Sequence, residues 1–160
     1  MKTEDSSNSI DKTDRKLLKL LQADGRMSNA DLAAKAGLSA TACWTRTKRL
    51  HETGLITGTH ARLNYAQLGY PVLVCVGVVL DRSTPELFKN FEQEVAKVAQ
   101  ISECLLLAGE FDYLLKMRVK DVDAFSRMHA KTLLKLPGVR QLRSFFVLNE
   151  CKIDAPMPLE

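Results

Sequence analysis

The sequence predicts an α+β chain in two parts: an amino-terminal winged helix-turn-helix and a carboxy-terminal ferredoxin-like βαββαβ sandwich. Three observations lead there. Residues 11 to 58 hold three short amphipathic stretches, each with a capping side chain before it and a glycine after it. Residues 72 to 152 instead alternate β-rich apolar runs with two helical ones. The charge changes at the same place: residues 15 to 63 carry 9 Lys and Arg against 3 Asp and Glu, while residues 64 to 160 carry 12 of each.

Residues 1 to 10 are polar and are expected to be a flexible tail. In the stretch IDKTDRKLLKLLQ, Leu17, Leu18 and Leu21 recur at helical spacing. Asp11 or Thr13 caps its start and Ala23-Asp24-Gly25 ends it. Ser28 opens a second helix, with Asp31 in capping-box position, and Gly37 closes it. Ser39 caps a third helix that Gly54 terminates. Ala33 is small where two helices cross, and Gly37 can take the positive φ of a sharp turn. This is helix-turn-helix grammar for residues 11 to 58. Residues 56 to 63, ITGTHARL, alternate weakly and are expected to form a short strand or wing. Residues 59 to 71 are read as the linker, punctuated by Gly69 and Pro71.

The second part covers residues 72 to 152. VLVCVGVVL at 72 to 80 is apolar throughout, as in a strand covered on both faces. Thr84-Pro85-Glu86 starts a helix with Leu87, Phe91, Val95 and Val98 along one face. Strands are expected at 101 to 108 and 113 to 119, joined across Gly109-Glu110-Phe111-Asp112. Asp121 caps a helix with Val122, Phe125, His129, Leu133 and Leu136 inward, and Pro137-Gly138 stops it. A last strand spans 140 to 148, and residues 153 to 160 form a tail.

Other classes find little support. No apolar run approaches the roughly 18 residues of a membrane span, and the polar amino terminus lacks a signal-peptide core, so a cytoplasmic protein without membrane contact is expected. Cys43, Cys75, Cys104 and Cys151 lie 32, 29 and 47 residues apart, with no ligand spacing and no nearby histidine cluster, so no metal site is expected. No nucleophile triad, phosphate loop or paired carboxylates point to an enzyme, and no cofactor is implied.

The basic first part suggests a polyanion, although a solvated charged face would look the same by charge alone. The helix-turn-helix favours double-stranded DNA, with the third helix as the reader of the major groove. If Cys43, Thr47 and Leu50 face inward, Ala40, Thr41, Trp44, Thr45 and Lys48 face out. Ser39, Thr41 and the helix start can bind phosphate. Arg46 and Arg49 flank the helix and can grip the backbone; Arg46 can equally brace the first helix through Asp14 or Asp24. Trp44 is either a groove-contacting aromatic or an apolar plug.

The segments DKTDRKLLKLLQADGRMS (11 to 28), AGLSATACWTRTKRLHETGLITG (36 to 58), AGEFDYLLKMRVKD (108 to 121) and LPGVRQLRSFFVLNECK (136 to 152) resemble the Lrp/AsnC, or feast/famine, transcription regulators. Thr47 and Cys43 stand where a larger β-branched residue is common in that family, and Trp44 is unusual. The resemblance implies a second domain of the RAM type, dimers built through it, assembly into octamers, and a small amino acid (leucine, methionine or cysteine class) as effector. It places the effector at Gly109, Glu110, Phe111, Asp112 and Tyr113. There, Asp112 accepts from the ammonium and loop N–H groups donate to the carboxylate. Val122, Leu136, Phe145, Phe146 and Val147 would supply an apolar pocket. Taken singly, those five are also ordinary core residues, and Asp112 is also an ordinary turn residue. A sensing or oligomerisation module with a vestigial helix-turn-helix, acting on a protein partner, is the reading from another class.

Overall fold

The structure, a computed structural model, describes residues 10–81 and 84–159. The expected tail thus lies outside the described residues except for Ile10. The chain divides into two compact units: the residues up to Arg62 together with those from Lys152 on, and Leu63–Cys151. The carboxy-terminal segment therefore packs with the first unit. Arg62 reaches back to it, donating to the Ile153 carbonyl and lying 4.0 Å from Asp154.

In the first unit α1 spans Lys12–Ala23, α2 Asn29–Ala36 and α3 Ala40–Glu52. Each has the expected cap: Asp11, Ser28 and Ser39 accept from the N–H three residues on. Asp11 and Asp14 form a full capping box. Gly37 turns the chain between α2 and α3 at φ 76°, and the Leu38 N–H closes onto the Ala33 carbonyl at 2.9 Å. Leu17, Leu32, Ala33, Cys43 and Leu50 make a small core with Leu18, Leu21, Met27 and Ile56 around it. The expected wing is not formed: residues 57 to 63 run without strand pairing. This segment passes over Gly25, where a Cβ would meet the Thr59 methyl at 2.8 Å. Weak alternation with a glycine inside gives too little reason for a ladder.

In the second unit β1 is Val72–Leu80, α4 Pro85–Val95, β2 Ile101–Leu106, β3 Tyr113–Val119, α5 Val122–Lys131 and β4 Val139–Phe146, with a 3-10 turn at Leu133–Lys135 before β4. The antiparallel sheet has the order β2-β3-β1-β4, the ferredoxin-like arrangement. Val74, Val76, Val78 and Leu80 of β1, with Tyr113, Leu115, Met117 and Val119 of β3, line the face covered by Phe91, Val95, Phe125, Leu133 and Leu136. The period of two sends Leu73, Cys75, Gly77 and Val79 to the other face, which no helix among the described residues covers. Leu73 and Gly77 are nevertheless buried, and Cys75 and Val79 half-buried. Val122, expected inward, is 59% exposed, because α5 begins there and its buried side starts at Phe125.

Candidate functional site

Two surfaces carry chemistry, one in each unit. In the first, Ser39 starts α3 with its hydroxyl turned onto the Ala42 N–H, and Asn29 of α2 donates to the Ala40 carbonyl at 2.9 Å. This second tie fixes the entry angle of α3. Ala40, Thr41, Trp44, Thr45 and Lys48 are all exposed on the outer face. Thr45 donates to the Thr41 carbonyl at 3.0 Å. The Lys48 ammonium lies 5.2 Å from the Trp44 ring centroid and 3.6 Å from Glu52. Trp44 is 56% exposed, so much of its aromatic surface stands open beside a cation.

The inner side of α3 is held by charge. Asp14 is fully buried, and its carboxylate accepts from Arg46 at 2.9 Å and from Arg49. Arg46 also reaches Asp11 at 2.6 Å. The N–H donated by Asp14 and then the Arg46 guanidinium hold the Asp11 carboxyl below the usual carboxylate range. Asp11 and Asp14 in turn raise the Arg46 pKa. Of the two roles open to Arg46, the structure shows bracing through Asp14 and Asp11; Asp24 instead accepts from the Arg26 N–H. Arg49, read as a backbone grip, is drawn into the same clamp. The reason is geometric: both arginines lie on the side of α3 that packs on the start of α1.

In the second unit, the loop between β2 and β3 folds back on the sheet. The Leu107 N–H donates to the Asp112 carbonyl, and the Asp112 N–H donates to Val78. The Asp112 carboxylate accepts from the Leu80 N–H at 2.7 Å, fastening the loop to the end of β1. Gly109 faces open space, and Glu110 pairs with Arg143 of β4. The Phe111 ring lies on Gly77, 6.2 Å from the Phe145 ring and 5.8 Å from the Arg143 guanidinium. The predicted effector residues do not all gather here. Tyr113 is buried on the helix side, where its hydroxyl donates to Glu92 and burial, then Glu92, pushes its pKa up. Leu136 is core. Phe146 lies against Phe125 on the helix side, whereas Phe145 sits opposite Cys75 on the uncovered side. Consecutive strand residues point apart, so Phe145 and Phe146 cannot line one pocket from one face.

These features have counterparts among known proteins. The model of the AsnC-type helix-turn-helix domain matches residues 10–51, and that of the Lrp/AsnC ligand binding domain matches residues 73–157. The chain belongs to the Lrp/AsnC family. The leucine-responsive regulatory proteins of Escherichia coli (strain K12) and Klebsiella pneumoniae are each 44% identical to it over 143 residues, covering 89% of this chain and 87% of theirs. A Neisseria meningitidis transcriptional regulator solved with L-methionine superposes with a TM-score of 0.88 at 33% identity, over 94% of this chain and 97% of its own. An AsnC family regulator from Agrobacterium tumefaciens gives 0.86 at 32% identity, over 93% and 97%.

As an Lrp/AsnC protein, the chain is a DNA-binding transcriptional regulator with an amino-acid-binding carboxy-terminal domain. Sequence reasoning missed Asn29, Arg143 and the pairing of Gly77 with Phe111. The first had a signal, a polar residue at a helix start; the other two depend on strand register and had none. No helix among the described residues is long and apolar enough to cross a membrane.

Proposed function

We propose that the outer face of α3 reads an operator through the major groove, with Ala40, Thr41, Trp44, Thr45 and Lys48 toward the bases. Ser39 and the start of α3 meet phosphate. The observation that supports this most is the sorting of α3 itself. Its two arginines face the buried Asp14, and Thr41, Trp44, Thr45 and Lys48 face outward. Arg46 and Arg49 then serve DNA by fixing the angle of α3, with contact to phosphate secondary.

Two copies of the chain pair through the sheet face that carries Cys75, Gly77 and Phe145, and such dimers assemble further, to octamers in the family pattern. Pairing places two recognition helices roughly 34–36 Å apart, or a multiple of it. The effector is a small amino acid of the leucine or methionine class, with cysteine the remaining candidate. It is bound at the loop of Gly109, Glu110, Phe111 and Asp112, with Asp112 holding Leu80 and offering its second oxygen to the ammonium. The protein works in the cytoplasm, without catalysis.

Gel shifts over a salt series, on the promoter upstream of its own gene and on random DNA, test the reader. Lys48→Ala and Trp44→Ala should each cost about 1–3 kcal/mol on the operator and much less on random DNA. Equal losses on both would refute base reading by this face. A thermal-shift screen over the twenty amino acids tests the effector, and a flat response to all of them would refute it.

A further inference from the structure

Gly77 lies in the middle of β1, the central strand, where a glycine weakens a sheet and requires an explanation. Its backbone is not in the left-handed region, so conformation does not demand it. Space does. A Cβ at Gly77 would lie 2.7 Å from both Cγ and Cδ1 of Phe111 and 2.8 Å from Cδ2, so the ring rests flat on the bare backbone. Cγ is the root of the ring, so the clash cannot be relieved by a flexible end; the loop that carries Phe111 has to lift.

Arg143 completes the seat. It is directly opposite Gly77 in the β1–β4 register, so its side chain leaves the same face of the sheet. Its guanidinium lies 5.8 Å from the Phe111 ring centroid and pairs with Glu110, the preceding loop residue. Phe145 meets the same ring edge-on. Two residues of two different strands thus hold two consecutive residues of the loop, independently of the Asp112 tie to Leu80.

We propose that Gly77 and Arg143, neither of which belongs to the loop, are positioning residues for the amino-acid effector. By seating Phe111 and Glu110 they set the shape of the 109–112 loop and hence its affinity for the ligand. This rests on the effector reading of that loop given above. A ligand biases an equilibrium only through its different affinity for the two forms, so a lifted loop weakens binding and response together.

The test measures the concentration of L-leucine and of L-methionine that half-saturates the thermal shift, in the full chain and in its Gly77→Ala, Arg143→Lys and Arg143→Gln variants, with light scattering alongside. The result expected is a rise of roughly tenfold or more in Gly77→Ala. Arg143→Gln should show a smaller rise, partly recovered in Arg143→Lys, which keeps the charge for Glu110 without the guanidinium. Arg143 is half exposed, so its variants fold even if Gly77→Ala does not. Unchanged half-saturation in Arg143→Gln, or a Gly77→Ala that has lost its dimer while its monomer binds ligand normally, would overturn the proposal. In the latter case Gly77 serves the pairing face. If the unaltered chain responds to neither amino acid nor to any other of the twenty, the effector reading fails first and the proposal falls with it.

Discussion

The two units of this chain solve the same stability problem by different means. Among the described residues, the main core of the sheet unit joins thirteen buried hydrophobic residues, from Val74 to Leu136, with Phe91, Tyr113, Leu115 and Met117 almost fully covered. The core of the helical unit joins five among the described residues, two of them Ala33 and Cys43, and places a carboxylate, Asp14, at their edge. A unit this small buries too little apolar area to fix three helices by packing alone. A buried charge with two guanidinium partners adds directional bonds that set the angle of α3. The difference teaches that geometry at the DNA face depends on polar contacts, and geometry of the sheet unit on volume.

Phe91→Ala breaks the comparison from the sheet side. It removes a fully buried ring and should cost about 3–5 kcal/mol, read by chemical denaturation as a lowered transition of the second unit. Asp14→Ala breaks it from the other side. Arg46 and Arg49 are about one-third exposed and can turn to water, so the loss should fall below that of a fully enclosed pair, about 2–3 kcal/mol with the capping box included. Calorimetry should show it in the helical transition, and an unaltered melting curve would remove the clamp from the account.

Asp112→Ala asks whether the sheet unit also uses a polar fastening. The Leu80 N–H loses its acceptor, and a fall of about 1–2 kcal/mol is expected in thermal melts. A variant that melts early and still responds to its effector would show the residue to be structural alone. The smallest effect is acidic. The Asp14 N–H and the Arg46 guanidinium hold the Asp11 carboxyl below its ordinary value of 3.8, so its contribution is full above that value and is lost as pH falls through the lower folded one. Followed from pH 5 downward, helicity should be lower in Asp11→Asn than in the unaltered chain above about pH 3.8, and the two curves should converge as pH falls below it.

Much of this was legible along the chain. Asp11, Ser28, Ser39, Thr84 and Asp121 act as the caps they promise to be, because capping is settled within three residues. The alternation of Tyr113, Leu115, Met117 and Val119 gave the buried face of β3 for the same local reason. The effector residues were legible less well. The run Phe145-Phe146-Val147 looks like one apolar patch in sequence and splits across the sheet once it is a strand.

The element order, the turn at Gly37 and the outward face of α3 were legible in the chain alone, because they follow from spacing and residue type over a few positions; the family was legible as a likeness over four longer segments. Tertiary packing alone settled that Arg46 and Arg49 turn to Asp14 and that Phe111 rests on Gly77. Those contacts join residues 32 to 35 positions apart or depend on strand register. No local periodicity encodes which partner a charged or aromatic side chain meets once distant segments have packed.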